Sequence, residues 1–202
     1  MGVQVKPFSR VTGPVAPLDR VNVDTDQIIP KQFLKRIEKT GYGDFLFYDW
    51  RFQANGSPEP SFVLNRKEYR CAPILLTGRN FGCGSSREHA AWALFQFGIR
   101  AIVAPSFADI FQSNCFQNGL LPVTLPNEVL RFLMDQANSA PGYRITVDLK
   151  ECLVSDETGF EASFEIDPFR RQCLLEGLDD IGLALRHLDE IRVFEEARGL
   201  AG

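Results

Sequence analysis

The sequence predicts an α/β fold: a mixed or parallel sheet flanked by helices in one domain. Three observations lead there. First, short apolar runs bounded by Pro and Gly recur along the chain, with stretches of helical spacing between them. Second, residues 73–104 read as strand, loop, helix, strand, a β-α-β unit of about 30 residues whose crossover is as a rule parallel and right-handed. Third, 202 residues with 45% apolar and 24% charged side chains are ordinary for a globular protein and enough for one core, at roughly 150 residues per domain.

In chain order, Val21 and Val23 alternate with Asn22 and Asp24, as in a short strand. Asp24-Thr25-Asp26 offers turn and cap chemistry before Ile28-Ile29. Residues 31–39 (KQFLKRIEK) have helical composition and stop at Gly41. Residues 55–60 (NGSPEP) form a loop. Residues 73–77 (PILLT) fit a buried strand. Ala90, Ala93, Leu94 and Phe97 then fall at helical spacing, with Gly98 as the residue that ends the helix. Residues 100–104 (RAIVA) are the next strand. A helix over 107–115, a strand over 120–125 and a helix over 127–138 with Asn127 as its cap follow. Residues 143–149 and 160–164 alternate apolar and polar like half-buried strands. Asp167-Pro168 is a cap followed by proline at the first helical position. From 179 to 198, Ile181, Leu185, Leu188 and Ile191 keep helical spacing. One domain spans 1–202, with a core over about 11–165 and a C-terminal helical segment over about 167–198.

Charge and composition exclude several functions. The net charge of −4 and the absence of a basic run argue against nucleic-acid binding. No apolar stretch approaches the roughly 20 residues of a membrane span, and residues 1–10 hold no secretory h-region. Five cysteines at irregular spacing do not look like a disulfide framework, so the chain reads as cytoplasmic with reduced thiols. There is no C-x-x-C pair, no Walker A loop and no G-x-S-x-G elbow, so a self-contained metal or cluster site is not expected. Gly82-Cys83-Gly84 begins like G-x-G-x-x-G, but Arg87 stands at the third position.

Chemistry concentrates in residues 84–90 (GSSREHA), where a loop after a strand opens a helix. Ser85 and Glu88 fit a capping box, which needs no function at all. The same segment also suits a small carboxylate: a helix start offers N–H donors and Arg87 a bidentate fork. Positive charge there would stabilise a serine alkoxide as a base. Both readings stand at this level. Asp24 and Asp26 read as solvated turn carboxylates, His89 as a packing histidine and Cys83 as structural.

Four strings together resemble a known family: residues 22–33 (NVDTDQIIPKQF), 47–52 (FYDWRF), 80–91 (NFGCGSSREHAA) and 104–111 (APSFADIF). They are similar to those of the small subunits of bacterial 3-isopropylmalate dehydratase, detached swivel domains of the aconitase superfamily. The resemblance runs from about Val11 to Arg198. It implies a swivelling β/β/α domain and a hydro-lyase that interconverts 2-isopropylmalate and 3-isopropylmalate through 2-isopropylmaleate in leucine biosynthesis. It implies a large-subunit partner carrying a [4Fe–4S] cluster, and no cofactor or metal on this chain. By motif it makes Ser85 the base, Ser86 and Arg87 the substrate carboxylate ligands, and Asp26 a support of the catalytic network. A second basic residue is left open among Lys31, Lys35 and Arg36. The isopropyl group calls for an apolar wall, from Ile28, Ile29, Phe33 or Leu34, with Phe33 and Leu34 as the specificity candidates. Alternatives are the small subunit of a citramalate or homoaconitate dehydratase, or a dicarboxylate-binding module without catalysis. The stretch near Phe45–Phe52 is a candidate docking surface.

Overall fold

The computed structural model describes residues 6–35 and 40–198, the side chains of 180, 181, 189, 191 and 195 excepted. Seven strands build one sheet: β1 (Arg10–Leu18), β2 (Ile74–Thr77), β3 (Ala101–Ala104), β4 (Leu121–Thr124), β5 (Arg144–Asp148), β6 (Leu153–Asp156) and β7 (Glu161–Ser163). Their order is β4-β3-β2-β1-β5-β6-β7. The first four run parallel to one another, and β5, β6 and β7 continue antiparallel from β1. The helices are α1 (Thr25–Ile28), α2 (Tyr48–Arg51), α3 (Glu88–Phe97), α4 (Asp109–Gln117), α5 (Asn127–Ser139), α6 (Pro168–Glu176), α7 (Asp180–Leu185) and α8 (Leu188–Ala197). The α/β class with a mixed sheet flanked by helices is the one expected.

Both faces of the parallel half are covered, because successive side chains point to opposite sides. In β2, Leu75 joins a core with Ile28, Phe81, Leu94 and Phe111, whereas Ile74 and Leu76 join another with Leu130, Leu133 and Ile145. Each of these side chains removes about 1.5–3 kcal/mol worth of apolar surface from water. α3 ends as expected, with Gly98 in a left-handed conformation. α6 has Asp167 as cap, its carboxylate accepting from the Arg170 N–H at 2.9 Å.

Several expectations are corrected. No strand forms at 21–23; Val21 is exposed in a bend, and the strand lies upstream as β1. Pro14 and Pro17 disguise it, since proline cannot donate to a ladder. β1 accommodates them by changing partner: Arg10 to Pro14 pair with β5, and Val15 to Leu18 pair with β2. Each half thus has its own ladder partner, with Val15 N–H also donating to Tyr143 O just before β5. β6 lies between two expected strands, where the residue pattern predicts none. The helical stretch 31–39 begins as a 3₁₀ turn, Lys31–Lys35, and residues 36–39 lie outside the described residues. The helix placed at 107–115 runs from Asp109 to Gln117. Asn127 is inside α5, whose N-cap is Pro126. The tail is broken into α7 and α8, with Leu185 and Leu188 exposed; the side chains of Ile181 and Ile191 lie outside the described residues.

At the β5–β6 end, Asp156 accepts from the Tyr143 hydroxyl at 2.6 Å and from the N–H groups of Thr158 and Phe160 at 2.7 and 2.9 Å. Burial pushes its carboxyl up, but these donors outweigh it and hold it at about 2 against an ordinary 3.8. A carboxyl depressed by folding stabilises above its unfolded pKa and loses that effect as pH falls through the folded value. The melting-temperature gap between wild type and Asp156→Asn is therefore expected to be constant above about pH 5 and to close between about pH 4 and pH 2. A gap that persists at pH 2 counts against this reading.

Candidate active site

The site lies at the C-terminal edge of the parallel strands, where α/β sheets place their ligands. The chain leaving β1 and the loop leaving β2 run side by side there and are stitched residue by residue. Gly82 N–H donates to Val23 O at 2.8 Å, and Thr25 N–H to Cys83 O at 2.9 Å. Thr25 Oγ1 donates to Ser85 O at 3.0 Å. The next link is ionic, the Arg87 guanidinium on the Asp26 carboxylate.

α1 begins with the local chemistry its sequence encodes. Asp24 is its N-cap, accepting from Gln27 N–H at 2.8 Å, and Gln27 Oε1 returns the favour to Asp24 N–H at 3.0 Å. This capping box is the one the fold uses. The Ser85–Glu88 box does not form: α3 starts at Glu88, and Arg87 occupies the N-cap position with extended backbone and no capping side-chain bond. Glu88 instead accepts from Asn118 at 3.0 Å. Ser85 and Ser86 are exposed. Of the two readings of GSSREHA, helix capping by Ser85 is excluded by this geometry.

Asp24 and Asp26 are thus not the solvated turn carboxylates expected. Asp26 Oδ1 and Arg87 Nη1 are sealed from solvent against each other. Asp26 Oδ2 also lies 3.2 Å from the exposed Lys31 Nζ. Of the basic residues left open, Lys31 is the one on Asp26; Lys35 is exposed, and Arg36 lies outside the described residues.

The loop's path depends on two glycines with positive φ, Gly82 (+78°) and Gly84 (+89°). At Gly82 a Cβ would lie 2.1 Å from Cγ of Phe111, so no side chain fits. Behind the loop, Phe81 N–H and O bond Ser106 O and Ala108 N–H, and Asn80 N–H bonds Ser106 Oγ at 2.9 Å. On the far side, Phe47 N–H bonds Ile28 O at 2.8 Å, the last residue of α1. All four strings singled out in the sequence therefore meet at this edge.

Ile28 and Ile29 are fully buried and face the core, which removes them as a substrate wall. Phe33 is half-buried, stacked on Phe45 at 4.1 Å and edge-on to Tyr48 at 4.9 Å; Leu34 is half-buried beside it. Within the proposed docking stretch, Leu46 and Phe47 are fully buried, so much of its apolar surface is spent inward.

His89 packs against Tyr42 and Trp92, at 5.3 and 4.6 Å between ring centres, and burial lowers its pKa, as a packing histidine's should be. Burial, helped by Asp24, raises the Cys83 thiol, which is the opposite of an activated cysteine. Cys71, Cys83, Cys115 and Cys152 are free thiols spread over the fold. Among the described residues, no group of three or more His, Cys, Asp or Glu stands together as a metal site. The donors at the loop are hydroxyls and a guanidinium, a set suited to an anionic substrate rather than to iron. No helix among the described residues is long and apolar enough to cross a membrane.

Sequence reading missed two supporting residues. Thr25 was a turn residue between two carboxylates, and Ser106 belonged to a matching string without a role. Their one signal was position inside those strings; their partners are 60 and 26 residues away.

Fold and site define an α/β domain, a mixed sheet flanked by helices, with a hydroxyl-rich loop at the C-terminal edge of its parallel strands. The profile of the aconitase C-terminal domain matches residues 5–128, and a LeuD_N profile matches residues 133–168. The 3-isopropylmalate dehydratase small subunit of Rhodopirellula baltica is 59% identical over 193 residues, 95% of this chain and 98% of that protein. That of Brevibacillus brevis is 56% identical over 194 residues, 96% of this chain and 100% of that protein. The crystal structure of 3-isopropylmalate dehydratase (leuD) from Methanocaldococcus jannaschii DSM2661 aligns over 91% of this chain and 98% of its own, with TM-score 0.66 and 26% identity. The chain belongs to the family of 3-isopropylmalate dehydratase small subunits, within the aconitase C-terminal domain family.

Proposed function

We propose that this chain is the small subunit of a 3-isopropylmalate dehydratase, a hydro-lyase of leucine biosynthesis that works with a large subunit. It interconverts 2-isopropylmalate and 3-isopropylmalate through 2-isopropylmaleate. The observation that carries the catalytic reading is the arrangement of residues 85–87. Two exposed serines that cap nothing stand at the start of α3, next to a guanidinium fixed on Asp26. Near-complete matches to small subunits of that name support the substrate.

In this reading Ser85 Oγ, as alkoxide, takes the proton from the carbon next to a substrate carboxylate while the C–O bond of the neighbouring carbon breaks, giving 2-isopropylmaleate and water. In the rehydration the Ser85 hydroxyl gives a proton to the other carbon of the double bond, and water adds its hydroxyl to the first. The helix start and the Arg87 charge stabilise that alkoxide. Ser86 donates to the carboxylate, and Arg87 grips it with the N–H groups that Asp26 leaves over. Asp26 fixes the fork's plane, and Lys31 adds the second cation. A [4Fe–4S] cluster held by the large subunit supplies a Lewis acid for the departing hydroxyl. A cytoplasmic location fits a biosynthetic role. We read the chain as one domain with a core over about 11–165, because a single sheet runs through it, followed by the helical segment over about 167–198.

The test is co-expression with a candidate large subunit and an anaerobic assay of isopropylmaleate absorbance. Turnover is expected only when both chains are present. Full turnover by the isolated chain, or tight isopropylmalate binding without any turnover in the complex, defeats the proposal.

The isopropyl pocket carries its own prediction. Three buried carbons contribute on the order of 2 kcal/mol, a preference of some tens-fold. Phe33 and Leu34 are both half-buried against the core that holds α1. Leu34→Ala and Phe33→Ala are each expected to erode the preference for isopropylmalate over citramalate in kcat/KM. An unchanged ratio in both variants removes these residues from the wall.

A further inference from the structure

We infer that Thr25 is a positioning residue for the Ser85 base, acting through the backbone of the catalytic loop; the inference rests on the proposed role of Ser85. Thr25 is one of two polar residues among the buried ones described, at 2% exposure. A polar group so placed needs a partner, and its hydroxyl finds one: it donates to the carbonyl of Ser85 itself, 60 positions along the chain, at 3.0 Å. Its own N–H simultaneously holds Cys83 O at 2.9 Å. One residue thus grips the loop on both sides of Gly84.

That grip matters because the loop is anchored before it, by Gly82 N–H on Val23 O, and after it, by Arg87 on Asp26, while between those points Thr25 is what reaches across to it. Gly84 has a left-handed φ of +89°, and what lies beside it is α1 with its cap: a Cβ built there would meet Asp24 Cβ at 3.4 Å and Thr25 Oγ1 at 3.6 Å. The Ser85 side chain is exposed. Its carbonyl receives two donors, Thr25 Oγ1 and Arg87 N–H at 2.9 Å, and the second belongs to the same loop and moves with it. Thr25, on the capped helix α1 that is bonded to Phe47, is the external reference. Arg87 is different: its guanidinium has a separate anchor on Asp26. Loosening Thr25 therefore displaces the base more than the carboxylate ligand, and the effect should fall on kcat rather than KM.

The two-subunit complex carrying T25S, T25A and T25V tests this, with kcat and KM for 3-isopropylmalate, a thermal melt and S85A as reference. A hydroxyl donor predicts kcat in the order wild type ≈ T25S, both at least tenfold above T25A and T25V, with KM within about threefold throughout. A role in packing alone predicts a different order: T25V near wild type, and T25S and T25A alike. That order, or equal kcat in all four proteins, overturns the inference. The comparison of T25S with T25A decides it even where T25V fails to assemble. Should wild type itself turn over no isopropylmalate, or S85A retain full activity, the proposed function fails first, and the two failures are told apart by those controls.

Discussion

Ser85→Ala in the assembled complex is expected to lower kcat by about 10²–10⁴-fold, the usual contribution of a positioned proton-transfer group, with assembly and melting temperature unchanged. The structure makes the second half of that statement sharp. Were Ser85 an N-cap, its loss would cost about 0.5–2 kcal/mol of stability. It is not the cap; Arg87 holds that position, and the Ser85 side chain is exposed. A surface substitution of this kind changes stability by no more than about 0.5 kcal/mol. Steady-state kinetics with a parallel melt separates the possibilities. Retained turnover removes Ser85 from the chemistry, and a large fall in melting temperature with retained turnover would return it to a structural role.

Arg87→Lys is expected to raise KM for isopropylmalate by one to two orders of magnitude although the charge is kept. Arg87 has two tasks that a single ammonium cannot share: one side of its fork is sealed on Asp26 while the rest faces the loop opening. Its side chain is 16% exposed, so the pair with Asp26 is only partly screened. Truncating one member of a buried charge pair costs about 2–5 kcal/mol; with the Asp26 side chain 36% exposed and Lys31 beside it, solvent and the second cation bring the cost here to the low end of that range. Arg87→Ala should accordingly lose stability as well as affinity, and Arg87→Ala/Asp26→Ala together should recover part of the stability but none of the affinity. A KM that does not move in Arg87→Lys contradicts the assigned role.

The antecedents of this site were partly visible in residue order. Gly84, Ser85, Ser86 and Arg87 are consecutive, and a loop opening a helix is a local event. The capping choice was not visible: S-x-x-E and D-T-D-Q both satisfy cap chemistry, and the fold uses Asp24 with Gln27 while leaving Ser85 free. The difference arises because the loop is stitched to α1 and winds through bends and a tight turn at Ser85, so that α3 begins only at Glu88 with Arg87 at its N-cap. Thr25 on Ser85 is a contact between segments 60 positions apart, which no spacing rule reaches, and Lys31 meets Asp26 because the chain turns at the end of α1.

The fold shows the same division. The runs 73–77 and 100–104 and the helix ending at Gly98 declared themselves, because burial on both faces of a sheet and a glycine helix stop are encoded locally. The central strand β1 did not, because Pro14 and Pro17 are tolerable only once neighbouring strands take alternate halves of it. Residue types and their local order thus sufficed for the α/β class, most element positions and the chemical groups available, since each depends on a few consecutive side chains. Which of those groups stays exposed, which is tied down and what lies beside it was set by the packing of α1 against the loop after β2, since hydrogen bonds and ion pairs between distant segments exist only when the whole sheet has brought them together.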